Sequence, residues 1–262
     1  LTIEGDNLIW TPSQSRMVIN QRPKANDGET QIRSRELVFQ QDTEVLEFSG
    51  PTQLNRVDET NAASTVVRGG RGTWNLKSGL LQAPGPVQAI RSDGRTLSAS
   101  GLDGNTRQGY LDLQQPVTLV LESDRGRITA GRTRWLFSAE QLESDQPIQA
   151  ELKNSKVQGR GFKLDQRTGT VIISNSCRVE QTLETLTAQR CAWNWRSERV
   201  VADGDVVLQR TEPEQITRAS RMEAKISDDG AIRFGQAGAR VESTIKLSPA
   251  AQEKPRRPQV SF

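Results

Sequence analysis

The stretch Ile128-Thr129-Ala130-Gly131-Arg132-Thr133-Arg134-Trp135-Leu136-Phe137-Ser138-Ala139 decides the fold. Ile128 and Ala130, then Trp135, Phe137 and Ala139, alternate with Thr129, Arg134 and Ser138. A period of two belongs to a strand with one apolar face, and the break at Gly131 predicts a bulge. Trp193 and Trp195 alternate with Ala192, Asn194 and Arg196 in the same way, as do Val117, Leu119 and Leu121 with Thr118 and Val120. Turn formers punctuate these runs: Asn26-Asp27-Gly28, Ser92-Asp93-Gly94, Asp103-Gly104-Asn105, Asp203-Gly204-Asp205 and Asp228-Asp229-Gly230. Residues 138–146 allow a short helix, but no 3.6-residue period is sustained along the chain.

Ile128 also opens a phrase that recurs. Ile3, Ile32, Val66, Leu97, Ile128, Val157, Leu186 and Ile216 begin look-alike phrases 29 to 34 residues apart. Two residues on comes Gly5, Ser34, Arg68, Ala99, Ala130, Gly159, Ala188 or Arg218, mostly small. Seven or eight residues in stands a large apolar side chain: Trp10, Phe39, Trp74, Trp135, Leu164 or Trp193. Leu97 has Asn105 at that slot, and Ile216 offers Met222 one place early. Further on come Val87, Val117, Ile148, Cys177 and Val206. A fixed period makes the fold a stack of similar units, and a unit of about 30 residues cannot bury its apolar face alone. The expectation is one all-β domain over residues 1–247 with about eight repeats, an inserted loop at 56–64, and a disordered proline-rich tail at 248–262. The shared offset predicts that the aromatic column, with Phe137 and Trp195, lies along one face.

Composition agrees with a slender, two-faced structure. The hydrophobic fraction is 34% and the mean hydropathy −0.63. Histidine is absent, which removes His-based acid/base chemistry and Ser–His or Cys–His nucleophiles. No Gly-rich phosphate loop and no nucleophile elbow is present. The carboxylate pairs Asp203/Asp205 and Asp228/Asp229 fall in Asp-Gly turns and read as solvated turn residues. No catalytic, metal or cofactor set emerges, so a non-enzyme is expected. A net charge of +3 argues against a nucleic-acid partner. Arginine outnumbers lysine 27 to 8. Its clusters, Arg125/Arg127/Arg132/Arg134 and Arg190/Arg196/Arg199, read as an outward face laced with acids or as contacts for anionic lipid headgroups. No apolar run reaches membrane-spanning length. The chain begins at Leu1, which suggests removal of an N-terminal signal or anchor.

Cys177 and Cys191 are the two cysteines. A hairpin around Leu183-Glu184-Thr185 would set 177 directly opposite 191, and 179 opposite 189, so a disulfide and an oxidising compartment are expected.

The phrases Leu81-Gln-Ala-Pro-Gly-Pro-Val87, Val201-Ala-Asp-Gly-Asp-Val-Val-Leu208, Leu97-Ser-Ala99, Ile128-Thr-Ala130 and Leu186-Thr-Ala188 resemble the OstA-like phrase of lipopolysaccharide-transport proteins. These are the periplasmic LptA and LptC proteins and the N-terminal domain of their outer-membrane partner. Cys191-Ala-Trp-Asn-Trp through Val201-Ala-Asp-Gly is most similar to a long LptC-type variant. The resemblance implies an open, V-shaped β-jellyroll with an apolar groove. It also implies a periplasmic carrier of lipopolysaccharide or a similar lipid, fed by an inner-membrane ABC-type transporter and handing on to an LptA-like bridge or an outer-membrane OstA-domain protein. The groove residues would be Trp10, Phe39, Trp74, Trp135, Phe137, Leu164, Trp193 and Trp195. An exposed edge near Ile232, Phe234, Val241 and Ile245 would pair with the next protein. Two other classes compete: a right-handed β-helix acting on or adhering to polysaccharide, and an adhesive repeat module without a ligand.

Overall fold

A computed structural model describes residues 2–28, 30–56, 65–121, 126–152, 155–212, 214–225, 232–235 and 241–246. The proposed tail, and all but Arg56 of the proposed inserted loop, lie outside the described residues. Among those described, strands account for nearly all regular structure, with a 3-10 turn at Pro12–Gln14 and no α-helix. Residues 138–146 are not helical: a turn ends at Glu140 and the strand Gln141–Leu152 follows. Pairing of residues 141–143 with 134–136 on one side and 163–165 on the other overrides the local helical propensity.

The repeating element is a four-strand zigzag between two layers. Thr96–Ala99 lies in the first layer, and the chain crosses at 100–101 into Leu102–Asn105 of the second. It turns back as Tyr110–Leu113 and crosses again to Val117–Val120 in the first. Away from the two ends, each strand pairs antiparallel with its own unit on one side and the neighbouring unit on the other; Thr96–Ala99 lies between Val87–Arg91 and Val117–Val120. In the second layer Leu102–Asn105 lies between Leu80–Ala83 and Tyr110–Leu113. The 29-to-34-residue period is thus four short strands, two crossings and two turns.

From Gln141 onward most crossings occur inside long strands rather than between short ones. Gln141–Leu152, Ser155–Asp165 and Arg199–Thr211 each shift register where they change layer, at Ser144/Pro147, Gln158/Arg160 and Asp203/Val206. Asp203-Gly204-Asp205 is therefore a crossing within a strand and not a hairpin turn. Gly131 likewise marks the crossing from Arg127–Ala130 to Thr133–Leu136, not a bulge in one strand. Asp103-Gly104-Asn105 is a strand segment as well. A Cβ on Gly104 would sit 2.4 Å from the Tyr110 carbonyl oxygen, so the glycine serves close strand approach there.

All crossings fall along one long edge, and the hairpin turns of both layers lie away from it. The two layers are hinged on one side, with their apolar faces inward, which makes an all-β rolled sheet of the jellyroll kind. A β-helix would need parallel coils, and every described pairing is antiparallel, so that reading is overturned.

Small residues serve the hinge. A Cβ on Gly5 would fall 2.2 Å from Ile19 Cγ2, and one on Gly159 would fall 2.4 Å from Ile173 Cγ2. The two glycines do the same job in the first and sixth zigzags. Cys177 and Cys191 are disulfide-bonded with a Cα–Cα distance of 5.9 Å, though not by the expected register. Cys177 pairs with Ala188 in the first layer, while Cys191 pairs with Ile173 and Ala202 in the second. The bond therefore staples the two layers beside the hinge. The hairpin around 183 leads to a crossing at Gln189, which turns 190–194 into the other layer.

Candidate functional site

Residues directly opposite across antiparallel strands share a face, so register pairs trace the lining of the space between the layers. In the second layer they give one continuous row: Trp10, Met17, Phe39, Leu46, Trp74, Leu81, Gly104, Leu111, Trp135, Leu142, Leu164, Val171, Trp193, Val200, Ala224 and Ile232. Trp10, Phe39, Trp74, Trp135, Leu164 and Trp193 thus stand on one line. Gly104, not Asn105, fills the slot in the fourth unit, and Ala224 fills it in the eighth, with Met222 one row nearer the hinge.

The facing row of the first layer runs Ile32, Leu54, Val67, Ala89, Leu97, Leu119, Ile128, Ala150, Val157, Val179, Leu186 and Leu208. Two phrase starts slip by a residue. Val67 rather than Val66 joins this row, since it pairs with Leu54 and Ala89, and Thr217 rather than Ile216 pairs with Leu208.

Burial varies along the line. Trp74 and Leu164 are 1% exposed. The Trp74 indole N–H donates to the Thr106 hydroxyl at 3.2 Å. Phe39, Trp135, Phe137, Trp193 and Trp195 are half-buried and pack against the core. Trp135 meets Phe137 edge-on, and Trp193 meets Trp195, each at 6.3 Å between ring centres. Trp10 departs from the expectation of a covered lining: it is 55% exposed, because Asn7–Thr11 is the last described strand of its layer. The Trp193 indole nitrogen is buried without a hydrogen-bond acceptor, the kind of donor a ligand oxygen would satisfy. Midway along, a small apolar gap of about 10 Å³ lies between Val67, Val87, Ala89, Leu97, Ser98 and Ala99 of one layer and Leu102, Leu111, Leu113 and Trp135 of the other.

Away from the turns at 91–95, 140 and 166, charge is kept outside. Arg134 grips Asp112 with Nε–Oδ1 at 2.7 Å and Nη2–Oδ2 at 2.9 Å, and lies 4.5 Å from the Tyr110 ring centre. The Arg134 hydrogen bonds hold the Asp112 carboxyl below the usual carboxylate range, against the upward push of partial burial. Arg199 and Arg221 share Glu223, and Arg190 and Arg221 share Asp203. Of the two arginine clusters, Arg132, Arg134, Arg190 and Arg199 pair with acids, Arg196 donates to the Gln166 carbonyl oxygen, and Arg125 lies outside the described residues.

At the C-terminal end Ile232 and Phe234 pack inward on the core. Val241 and Ile245 are 38% and 50% exposed, and Glu242–Ile245 pairs with residues 215–218 on one side. The four proposed edge residues therefore do not form one exposed strip.

Sequence reasoning missed the returning strands of the row (Leu46, Leu81, Leu111, Leu142 and Val171) and a polar cluster where the layers meet away from the hinge. That cluster joins Arg91, Asp93 and Arg95 of the first layer to Glu140 and Gln166 of the second. A signal existed in the recurrence of Leu76, Thr106, Phe137, Gln166 and Trp195 at intervals of 29 to 31 residues.

No protein-family model matches the chain, and no curated protein matches it. Among solved structures the chain is similar to LptH from Pseudomonas aeruginosa, described as the LptA-homologous periplasmic component of the lipopolysaccharide transport device. The likeness has a TM-score of 0.41 and 12% identity, and covers 46% of this chain and 94% of that one. An overlap this partial carries no argument about function.

Proposed function

We propose that the chain is a non-enzymatic periplasmic lipid carrier, holding acyl chains of lipopolysaccharide or a similar lipid between its two layers. It would receive lipid from an inner-membrane ABC-type transporter and pass it to an LptA-like bridge or an outer-membrane OstA-domain protein. The observation that carries the reading is the pair of continuous apolar rows facing each other along the sheet, hinged on one side so that the layers can part at the other. Acyl chains suit such a lining, each buried CH₂ contributing about 0.8 kcal/mol. The OstA-like phrases support it, because they fall on strands that build these rows. The disulfide fits an oxidising compartment. We further propose that residues 1–247 act as one domain, that Trp74, Trp135 and Leu164 line the acyl path with their row neighbours, and that Val241 and Ile245 offer the edge to the next protein.

Photo-crosslinkers at Trp135 and Trp193 should capture lipopolysaccharide more strongly than crosslinkers at the outward Arg134 and Lys163. Equal labelling from both faces would sink the groove assignment. An adhesive module without a ligand predicts no capture at any position.

A further inference from the structure

We propose that Arg91, Asp93 and Arg95 form a latch that closes the groove mouth by gripping Gln166 and Glu140 of the facing layer. Its use in admitting lipid rests on the carrier reading; the latch itself does not.

The latch sits on the turn Ser92-Asp93-Gly94, at the tip of the first layer and away from the hinge. Arg91 lies two residues beyond Ala89, and Arg95 two before Leu97. Both therefore share the face that lines the gap. Arg91 Nη1 and Arg95 Nη1 each donate to Gln166 Oε1 at 3.2 Å, and Arg91 Nη2 lies 3.9 Å from Glu140 Oε1. Asp93 holds the two guanidinium groups together, with Nε–Oδ2 distances of 2.9 Å to Arg91 and 3.0 Å to Arg95.

The receiving side is fixed. The Gln166 N–H donates to the Glu140 carbonyl at 3.0 Å, and Arg196 Nη2 donates to the Gln166 carbonyl at 3.0 Å. Gln166 also occupies a special place in the repeat. From the second unit on, each of these second-layer turns begins with a residue whose N–H donates to the last residue of the preceding unit's turn: Gln41 to Ser15, Leu76 to Glu44, Thr106 to Gly79, Phe137 to Gly109, Gln166 to Glu140 and Trp195 to Gly169. Leu76, Phe137 and Trp195 are apolar and pack on the core. Thr106 serves Trp74 of its own layer, whereas Gln166 reaches the opposite layer.

Arg91 and Arg95 are balanced by Asp93 and Glu140, so the closed cluster is neutral and does not itself call for a free anion. Its side chains are 14 to 23% exposed. Only two Arg–Gln hydrogen bonds at 3.2 Å and the 3.9 Å approach of Arg91 to Glu140 join the layers here, while Asp93 stays with both arginines, so opening leaves the guanidinium groups paired. Opening pivots about the hinge edge and exposes the apolar rows sideways.

The test places spin labels on Ser92→Cys and Arg167→Cys, exposed positions on the two facing turns, in a chain whose own described cysteines are disulfide-bonded. Adding Arg91→Gln and Arg95→Gln should shift the interlabel distance distribution longer and broaden it. An unchanged distribution overturns the latch. A second arm follows uptake of a fluorescent long-chain fatty-acyl probe, expected to be several-fold faster in the double variant and unchanged in the outward Lys163→Gln. A longer distance with unchanged uptake overturns the role at entry. If the unmodified protein binds no probe, the carrier reading fails and the distance result alone decides the latch.

Discussion

Gly159→Ala isolates the hinge geometry with a single methyl group. The new Cβ would stand 2.4 Å from Ile173 Cγ2 and 3.2 Å from the Asn175 carbonyl oxygen, so a side chain of the facing layer and the backbone beside it must both give way. Forcing a methyl into a packed interior costs about 1–3 kcal/mol. Gly70→Ala is the matched control: it sits at another crossing, with no atom within 4 Å of its would-be Cβ and no left-handed φ. There the substitution should be neutral or stabilise by about 0.4–1 kcal/mol through the unfolded state. Urea unfolding followed by tryptophan fluorescence reads both, since Trp193 pairs with Val171 two residues from Ile173. If overpacking is the cause, Ile173→Ala should cost less in the Gly159→Ala background than alone, because the truncation vacates the clashing volume. A Gly159→Ala variant within about 0.5 kcal/mol of Gly70→Ala would refute the close approach of the layers at this crossing.

Thiol titration of denatured, unreduced protein should find no free thiols, and replacing Cys177 and Cys191 by alanine should cost about 3 kcal/mol in chemical unfolding. Leu164→Ala should cost about 2–5 kcal/mol, while Trp10→Ala should fall within about 0.5 kcal/mol of wild type, a contrast read by melting temperatures. The depressed Asp112 carboxyl stabilises the fold fully above the usual carboxylate pKa of about 3.9 and loses that contribution as pH falls through its lower folded value. Asp112→Asn should therefore flatten the acid limb of a stability–pH curve, and an unaltered limb would count against the Arg134 pairing. Ile245→Pro should weaken partner binding without disturbing the N-terminal zigzags by circular dichroism; unchanged affinity with an intact fold would remove this strand from the partner edge.

The outbound half of each zigzag was legible because strand pairing converts a constant sequence offset into a straight line. That is why Phe39, Trp74 and Trp193, far apart in sequence, share one row. The returning half is just as periodic, with Leu46, Leu111, Leu142 and Val171 each 14 residues after their phrase starts and Leu81 15, but these aliphatics stand out less from the sequence than the tryptophans do. Thr65-Val66-Val67-Arg68 has apolar residues on both faces, so local alternation cannot choose between Val66 and Val67; pairing with Leu54 and Ala89 does. Asp-Gly signals misled at 103–104 and 203–204 because glycine there serves close approach and layer crossing rather than a hairpin turn. The Arg91–Gln166 contact spans 75 residues between two layers, and no periodicity within one strand reports it.

The hinge slot joins these observations. Along it, first-layer strands alternate small and larger residues by register: Val87 with Ala99, Val117 with Ala130, Ile148 with Gly159, Cys177 with Ala188, and Val206 with Ala219. Each outbound strand supplies the small partner and each returning strand the larger one, which lets the layers approach closely at the hinge and diverge from it. Cys177 occupies a larger-residue position and adds a covalent bond to the second layer through Cys191. The fold therefore has a covalent tie between layers at the hinge edge and, in the latch, a non-covalent polar tie at the mouth. A sheet held that way opens at the mouth without losing register at the hinge. Breaking the latch should leave the Cys177–Cys191 region folded, while cutting the disulfide should destabilise the C-terminal zigzags without widening the mouth.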